Sequence, residues 1–137
     1  MIDALDHVHV YVEDVPLAAE WYRRMLGFEF DPAFAQWYVQ GGPYVIRCAA
    51  AALSLFQRTS PKPGNTIAFA IQATKLKELL ERLAQHEFAF TIVDHQLTWS
   101  VYFTDCCANP IEVTCNDYEA ATPIMVAAST SLPPLTR

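Results

Sequence analysis

"LDHVHVYVEDVPLAAEWYRRMLGF", residues 5–28, decides the fold. Its first eight residues alternate. Val8, Val10 and Val12 fall on one side, and His7, His9 and Tyr11 on the other, as a β-strand demands. At "DVPLAAEWYRRML" the spacing turns helical, with Asp14 placed to cap the start, Pro16 in the first turn and Gly27 just past the end. Leu17, Trp21 and Met25 share a stripe suited to lying on a sheet. The strand carries a His-x-His pair whose side chains leave on one face, about 6.7 Å apart at the backbone. Such a pair is either half of a metal claw or a polar lining without metal.

Three short strands are expected next, around "AQWYVQ", "PYVIRC" and "ALSLFQ". "RTSPKPGN" then forms a Pro/Gly/Ser connector, after which the order restarts. "NTIAFAI" reads as a strand. "TKLKELLERLAQH" reads as a helix with Leu76, Leu79, Leu80 and Leu83 on one face, and "FAFTIVD", "WSVYFTD" and "PIEVTC" as three more strands. Setting His7 against Thr66 aligns Val8, Val10 and Val12 with Ile67, Phe69 and Ile71. One residue less of offset brings "LSLFQ" onto "IEVTC". The chain is therefore α+β, two tandem βαβββ modules pairing into a curved-sheet cleft or half-barrel. Module one covers 4–57, the linker 58–64 and module two 65–118, together a domain over 1–118. Residues 119–137 have no counterpart in the first half and are expected to be a partly loose C-terminal extension.

The bulk numbers agree with one globular domain. The chain has 137 residues, 53% hydrophobic and 18% charged, with a formal net charge of −6. That charge and the absence of any Lys/Arg run exclude a nucleic-acid surface. No apolar stretch approaches the roughly 20 residues of a membrane span, and the acidic opening "MIDALDHVHV" is no secretory leader, so the expected location is the cytoplasm. Cys48, Cys106, Cys107 and Cys115 are expected as free, structural thiols, because the adjacent pair lacks C-x-x-C spacing.

Apolar alternate residues should face the helices, leaving His7, His9, Tyr11, Ser54, Phe56, Thr66, Ala68, Ala70, Ser100, Tyr102, Thr104, Glu112 and Thr114 on the open faces. Phe56 and Tyr102 suit an apolar or aromatic ligand, and Tyr102 adds a hydrogen bond. Glu112, between Ile111 and Val113, needs water, a cation or a partner such as Arg47. His95 is expected in a surface loop and His86 at the negative end of a helix dipole. Trp37, Tyr38, Tyr44 and Trp99 read as core or rim packing.

These residues resemble a known family. The opening stretch, "NTIAFAI" with its Leu-rich helix, and "VYFTDCCANPIEVT" are similar to the opening, middle and closing patterns of the vicinal oxygen chelate superfamily, which includes glyoxalase I, extradiol dioxygenases, fosfomycin-resistance enzymes and bleomycin-resistance proteins. The resemblance spans about residues 4 to 118. It places the family's metal positions on His7, Ser54, Thr66 and Glu112. His7 and Glu112 keep ligand types, while Ser54 and Thr66 put hydroxyls where relatives carry a carboxylate and a histidine, and hydroxyls are poor partners for Zn²⁺, Mn²⁺ or Fe²⁺. "DCCAN" replaces Asp-Pro-Asp-Gly-Asn, so Ala108 fills a turn position where Gly is usual. His9 is a candidate replacement ligand, giving two histidines and one carboxylate with Glu112. In the resemblance its position belongs to the substrate pocket.

The expectation is a small-molecule binding protein or metal-independent enzyme of the glyoxalase/bleomycin-resistance type. His7, His9, Phe56, Thr66 and Tyr102 would hold the ligand, and His9, Glu112 and Tyr102 would supply the chemistry. The alternative is a lyase, isomerase or dioxygenase using Mn, Fe, Ni or Zn on His7, Glu112 and His9. The resemblance also implies a homodimer.

Overall fold

The computed structural model describes residues 1, 4–60 and 62–131 and divides the chain into two compact units. The first is Met1–Gly64 with Asp105–Asn109, and the second Asn65–Thr104 with Pro110–Arg137. The first holds β1 (Val8–Val12), α1 (Val15–Leu26), β2 (Glu29–Phe30), α2 (Ala35–Val39), β3 (Tyr44–Cys48) and β4 (Ala51–Gln57). The second holds β5 (Ile67–Ala70), α3 (Ala73–Gln85), β6 (Thr91–Asp94), β7 (Trp99–Thr104), β8 (Pro110–Cys115) and α4 (Tyr118–Ser131). Both sheets have four strands in equivalent orders, β1-β4-β3-β2 and β5-β8-β7-β6. The chain is α+β and its repeat is the duplicated βαβββ unit.

Register makes the duplication specific. The parallel seam of the first sheet pairs Val8 with Leu53 and His9 with Ser54. The second pairs Ile67 with Ile111 and Ala68 with Glu112. These are the pairs that the aligned halves require. Burial follows the alternation: Val10 and Val12 are buried and His9 and Tyr11 exposed. The ladder begins at Val8, so His7 and Thr66 each stand just before their strand.

Helix α1 starts where Asp14 accepts the Leu17 N–H at 2.9 Å and stops at Gly27, whose φ of 77° takes the left-handed cap. The expected stripe is corrected at one residue. Leu17 is 59% exposed, and Val15, Ala18, Trp21, Tyr22 and Met25 are buried instead. The buried positions recur every three or four residues, and two successive four-residue steps back from Met25 rotate Leu17 off that face. On α3 the four expected leucines are all buried, each contributing about 1.5–3 kcal/mol relative to exposure.

"AQWYVQ" is not a strand. Asp31 accepts the Ala33 N–H at 3.1 Å, Pro32 opens a 3-10 turn, and Ala35–Val39 continues as the short helix α2 before Gly41 and Gly42. The local Asp-Pro cap outweighed the β-prone Trp-Tyr-Val run. The missing strand is the two-residue β2, paired with β3 at Glu29–Arg47 and Phe30–Ile46.

Beyond β8 the chain forms α4, with Ala121 and Met125 fully buried and Trp99 donating its indole N–H to Thr122 Oγ1 at 2.9 Å. Residues 132–137 of the expected extension lie outside the described residues. No helix among the described residues is long and apolar enough to cross a membrane.

The five-residue turn between β7 and β8 is built around a buried carboxylate. Asp105 accepts the Tyr22 hydroxyl at 2.8 Å, the backbone N–H groups of Cys107 and Asn109 at 2.8 and 2.9 Å, and the Asn109 amide at 2.8 Å. Burial first, and then the Asp105 charge, push the Tyr22 phenol well above its ordinary value. Ala108 sits at φ 64°, the strain that its place in the turn implies. Ala108→Gly should therefore raise stability by about 0.5–1 kcal/mol, read as a higher urea midpoint at unchanged slope. Asp105→Ala should cost about 3–5 kcal/mol, because several buried donors lose their acceptor together.

Candidate functional site

In the second unit, Glu112 lies on β8 directly opposite Tyr102 of β7, and Ser100 lies opposite Thr114. All four side chains share the open face by parity. The Tyr102 hydroxyl donates to Glu112 Oε1 at 2.9 Å and the Ser100 hydroxyl to the same oxygen at 2.8 Å. Ser100, fully buried, also meets Thr114 Oγ1 at 3.0 Å. Since Ser100 has one hydroxyl hydrogen, given to the carboxylate, Thr114 is the donor in that second contact. Glu112 is thus fixed through one oxygen, and among the described residues Oε2 takes no hydrogen bond.

His95 extends the chain. Its Nε2 lies 2.9 Å from the Tyr102 hydroxyl, which already gives its hydrogen to Glu112, so Nε2 carries the proton and donates. Burial, followed by the hydrogen bond and charge of Glu112, holds the Tyr102 phenol above its ordinary range. His95 lies in a surface loop, as expected. It is exposed and lies in the β6–β7 hairpin, yet it belongs to this hydrogen-bonded row. The signal was present in the parity of Thr91, Val93 and His95, since Thr91 pairs with Tyr102 and Val93 with Ser100. The proposed Arg47 partner is corrected: Arg47 pairs with Asp31 at 3.1 Å.

The first unit offers a row of rings. His7 and His9 stack at 5.0 Å between centroids, His9 meets Phe56 at 4.8 Å, and Phe56 stacks on Tyr11 at 5.5 Å. His7 Nε2 and His9 Nε2 converge to 3.1 Å, while His7 Nδ1 lies 2.7 Å from Asp6 Oδ2. Sequence reading missed Asp6. A carboxylate beside the first histidine was the available sign, and a metal-bound histidine commonly gives its second N–H to such a group.

Two nitrogens each 2.0–2.1 Å from one ion lie roughly 2.9 Å apart at a right angle and roughly 3.3 Å apart at a tetrahedral one. The observed separation falls between these, so His7 and His9 fit a divalent ion as they stand. Ser54, a buried hydroxyl, and Thr66, exposed ahead of β5, do not add donors of the right kind. Among the described residues no three His, Cys, Asp or Glu side chains are grouped for a metal ion.

The sequence matches the family model described as the Glyoxalase/Bleomycin resistance protein/Dioxygenase superfamily over residues 4–121, and the chain belongs to that superfamily. Solved structures share its fold. A variant of the fosfomycin resistance protein FosX from Listeria monocytogenes, complexed with Mn(II) and a dihydroxypropylphosphonic acid, is 20% identical with a TM-score of 0.72, covering 88% of this chain and 97% of its own. Lactoylglutathione lyase from Agrobacterium tumefaciens is 21% identical with a TM-score of 0.65, covering 83% of this chain and 94% of its own. No curated protein matches the sequence.

The Tyr102 phenol should ionise above the ordinary value of about 10 in a spectrophotometric titration, and Glu112→Gln should move that step downward. A phenol raised on folding contributes stability below pH ~10, and that contribution fades as pH rises through the folded value. Tyr102→Phe should accordingly flatten part of the alkaline fall in stability.

Proposed function

We propose that the protein binds a small organic molecule with an apolar or aromatic body and a polar oxygen, as a sequestering protein or a metal-independent enzyme of the glyoxalase/bleomycin-resistance type. The observation that carries this reading is the Glu112 carboxylate, held through one oxygen by Ser100 and Tyr102 with the other left for a ligand. Glu112 is the base and Tyr102 the hydrogen-bond donor. When Glu112 takes a proton from a position next to a carbonyl, it needs the Tyr102 hydrogen less, and that hydroxyl can turn to the developing oxyanion. His9 serves as a second acid–base group, while His7, His9 and Phe56 grip the apolar part and Thr66 adds a polar contact. The resemblance further supports a homodimer in the cytoplasm.

The convergence of His7 and His9 supports a second reading, a divalent-metal lyase, isomerase or dioxygenase with Mn, Fe, Ni or Zn on these two residues and Glu112. A FosX variant of the same fold is complexed with Mn(II), which supports a divalent ion in this reading. A bound ion would polarise adjacent substrate oxygens. This chain's part would be to hold it through two imidazoles, with Asp6 orienting His7.

Elemental mass spectrometry on untagged protein, purified without chelators, separates the readings. The first expects well under one metal per chain, unchanged in His7→Ala. About one Mn, Fe, Ni or Zn per chain, lost in His7→Ala, would overturn it in favour of the second. In a thermal-shift screen of aromatic and oxo-acid compounds, a ligand at a hundred times its Kd should add about 2.7 kcal/mol, and Glu112→Gln should reduce that gain. A shift insensitive to Glu112→Gln and Tyr102→Phe would remove those residues from the site.

A further inference from the structure

Cys106 and Cys107 occupy the β7–β8 turn, both half-buried free thiols with sulfurs 3.9 Å apart. Their backbone is held from both ends. Asp105 accepts the Cys107 N–H, Asn109 accepts the Gly64 N–H at 3.1 Å, and Arg58 donates to the Cys107 carbonyl at 2.7 Å. Arg58 is itself fixed by an ion pair with Glu13 at 2.9 Å. The turn therefore presents two adjacent sulfurs from a preorganised frame, and nothing in the proposed chemistry uses them.

The separation discriminates among what two sulfurs can take. A disulfide needs them at about 2.05 Å, so both would have to move far from their places. A single centre with sulfur bonds near 2.3 Å holds two sulfurs roughly 3.3 Å apart at a right angle and roughly 3.8 Å apart at a tetrahedral one, so either asks for a smaller movement from 3.9 Å than a disulfide does. No three His, Cys, Asp or Glu side chains are grouped there among the described residues, and the carboxylate against the Cys107 thiol, Glu13, is engaged by Arg58, so the centre must be content with two sulfurs. A trivalent metalloid that brings its own third substituent meets that condition, and a four-coordinate metal ion does not.

We propose that Cys106 and Cys107 form a dithiol site for a trivalent thiophilic metalloid, using none of the residues assigned to the organic ligand. Burial raises both thiols, Cys106 to about 12 with further help from its neighbour, so the pair is a poor target for simple alkylating agents at neutral pH. A metalloid oxide reacts differently. Two S–H bonds and the bond to oxygen break, two bonds to sulfur form, one water leaves, and the metalloid stays trivalent.

The test uses phenylarsine oxide with the full-length protein. Intact-mass measurement should show one phenylarsenic adduct per chain with loss of one water, reversed by 2,3-dimercaptopropanol. It should be retained in Cys48→Ser and absent from Cys106→Ser and Cys107→Ser. Folded protein should bind at least tenfold more tightly than protein in denaturing urea, since adjacency alone survives unfolding and the frame does not. Cd²⁺ is the comparison, expected to bind more weakly for lack of further donors. An adduct that persists in either single variant, equal affinity in urea, or tighter binding of Cd²⁺ would each overturn the proposal. Circular dichroism of the variants keeps a folding defect from being read as loss of the site.

Discussion

The parallel seam between the first and last strands of each unit is the constraint on which everything else rests. A βαβββ unit must return its last strand beside its first, and the side-chain period of two then leaves only two choices of face. With Val8 against Leu53 and Ile67 against Ile111, the aliphatic set meets the helices, and every candidate residue is sent to the other side. A slip by one residue would bury His9 and Glu112 and expose the core. Chemistry and stability are therefore specified by the same register, and neither can drift without the other.

Duplication supplies equivalent positions that have since been used differently. His7 and Thr66 stand alike before their strands, as do His9 and Ala68 within them, and Ser54 and Glu112 on the partner strands. The first unit keeps the rings, and its buried Ser54 stands where the second places its carboxylate. The second unit gives up bulk at Ala68 and Ala70 and surrounds Glu112 with hydroxyls. The two units thus carry different surfaces, one apolar and stacking, the other directional and acidic.

What the sequence made legible follows from which forces are local in it. Alternation and the 3.6-residue stripe are written in neighbouring letters, so the seven longer strands, α1, α3 and the repeat could be read. "AQWYVQ" departs from a strand because an Asp-Pro cap four residues upstream decides its conformation, and Leu17 lies outside the buried face because strict four-residue steps drift from a 3.6-residue period. The hub at Asp105 was invisible: its partner Tyr22 is distant in sequence, and no periodicity marks a carboxylate that will be buried. His95 lay between these cases. Its parity is readable, but the strand ends at Asp94, one residue before it. Arg47 found a carboxylate, though one within its own unit, Asp31.

The His-x-His question reduces to the placement of one proton. Asp6 accepts from His7 Nδ1, so a neutral His7 presents a lone pair at Nε2, and the 3.1 Å contact then requires His9 to donate from its own Nε2. In that arrangement the pair is a lining, and His9 turns its Nδ1 lone pair outward as an acceptor. If His9 instead carries its proton at Nδ1, both Nε2 lone pairs face one point, which repels the two rings unless a cation lies there. His7 already has the form that a metal demands, because Asp6 fixes it. The two readings of this surface therefore differ by a single tautomeric choice at His9 and by no rearrangement of the backbone. The strand that decides the fold brings the two nitrogens together in both.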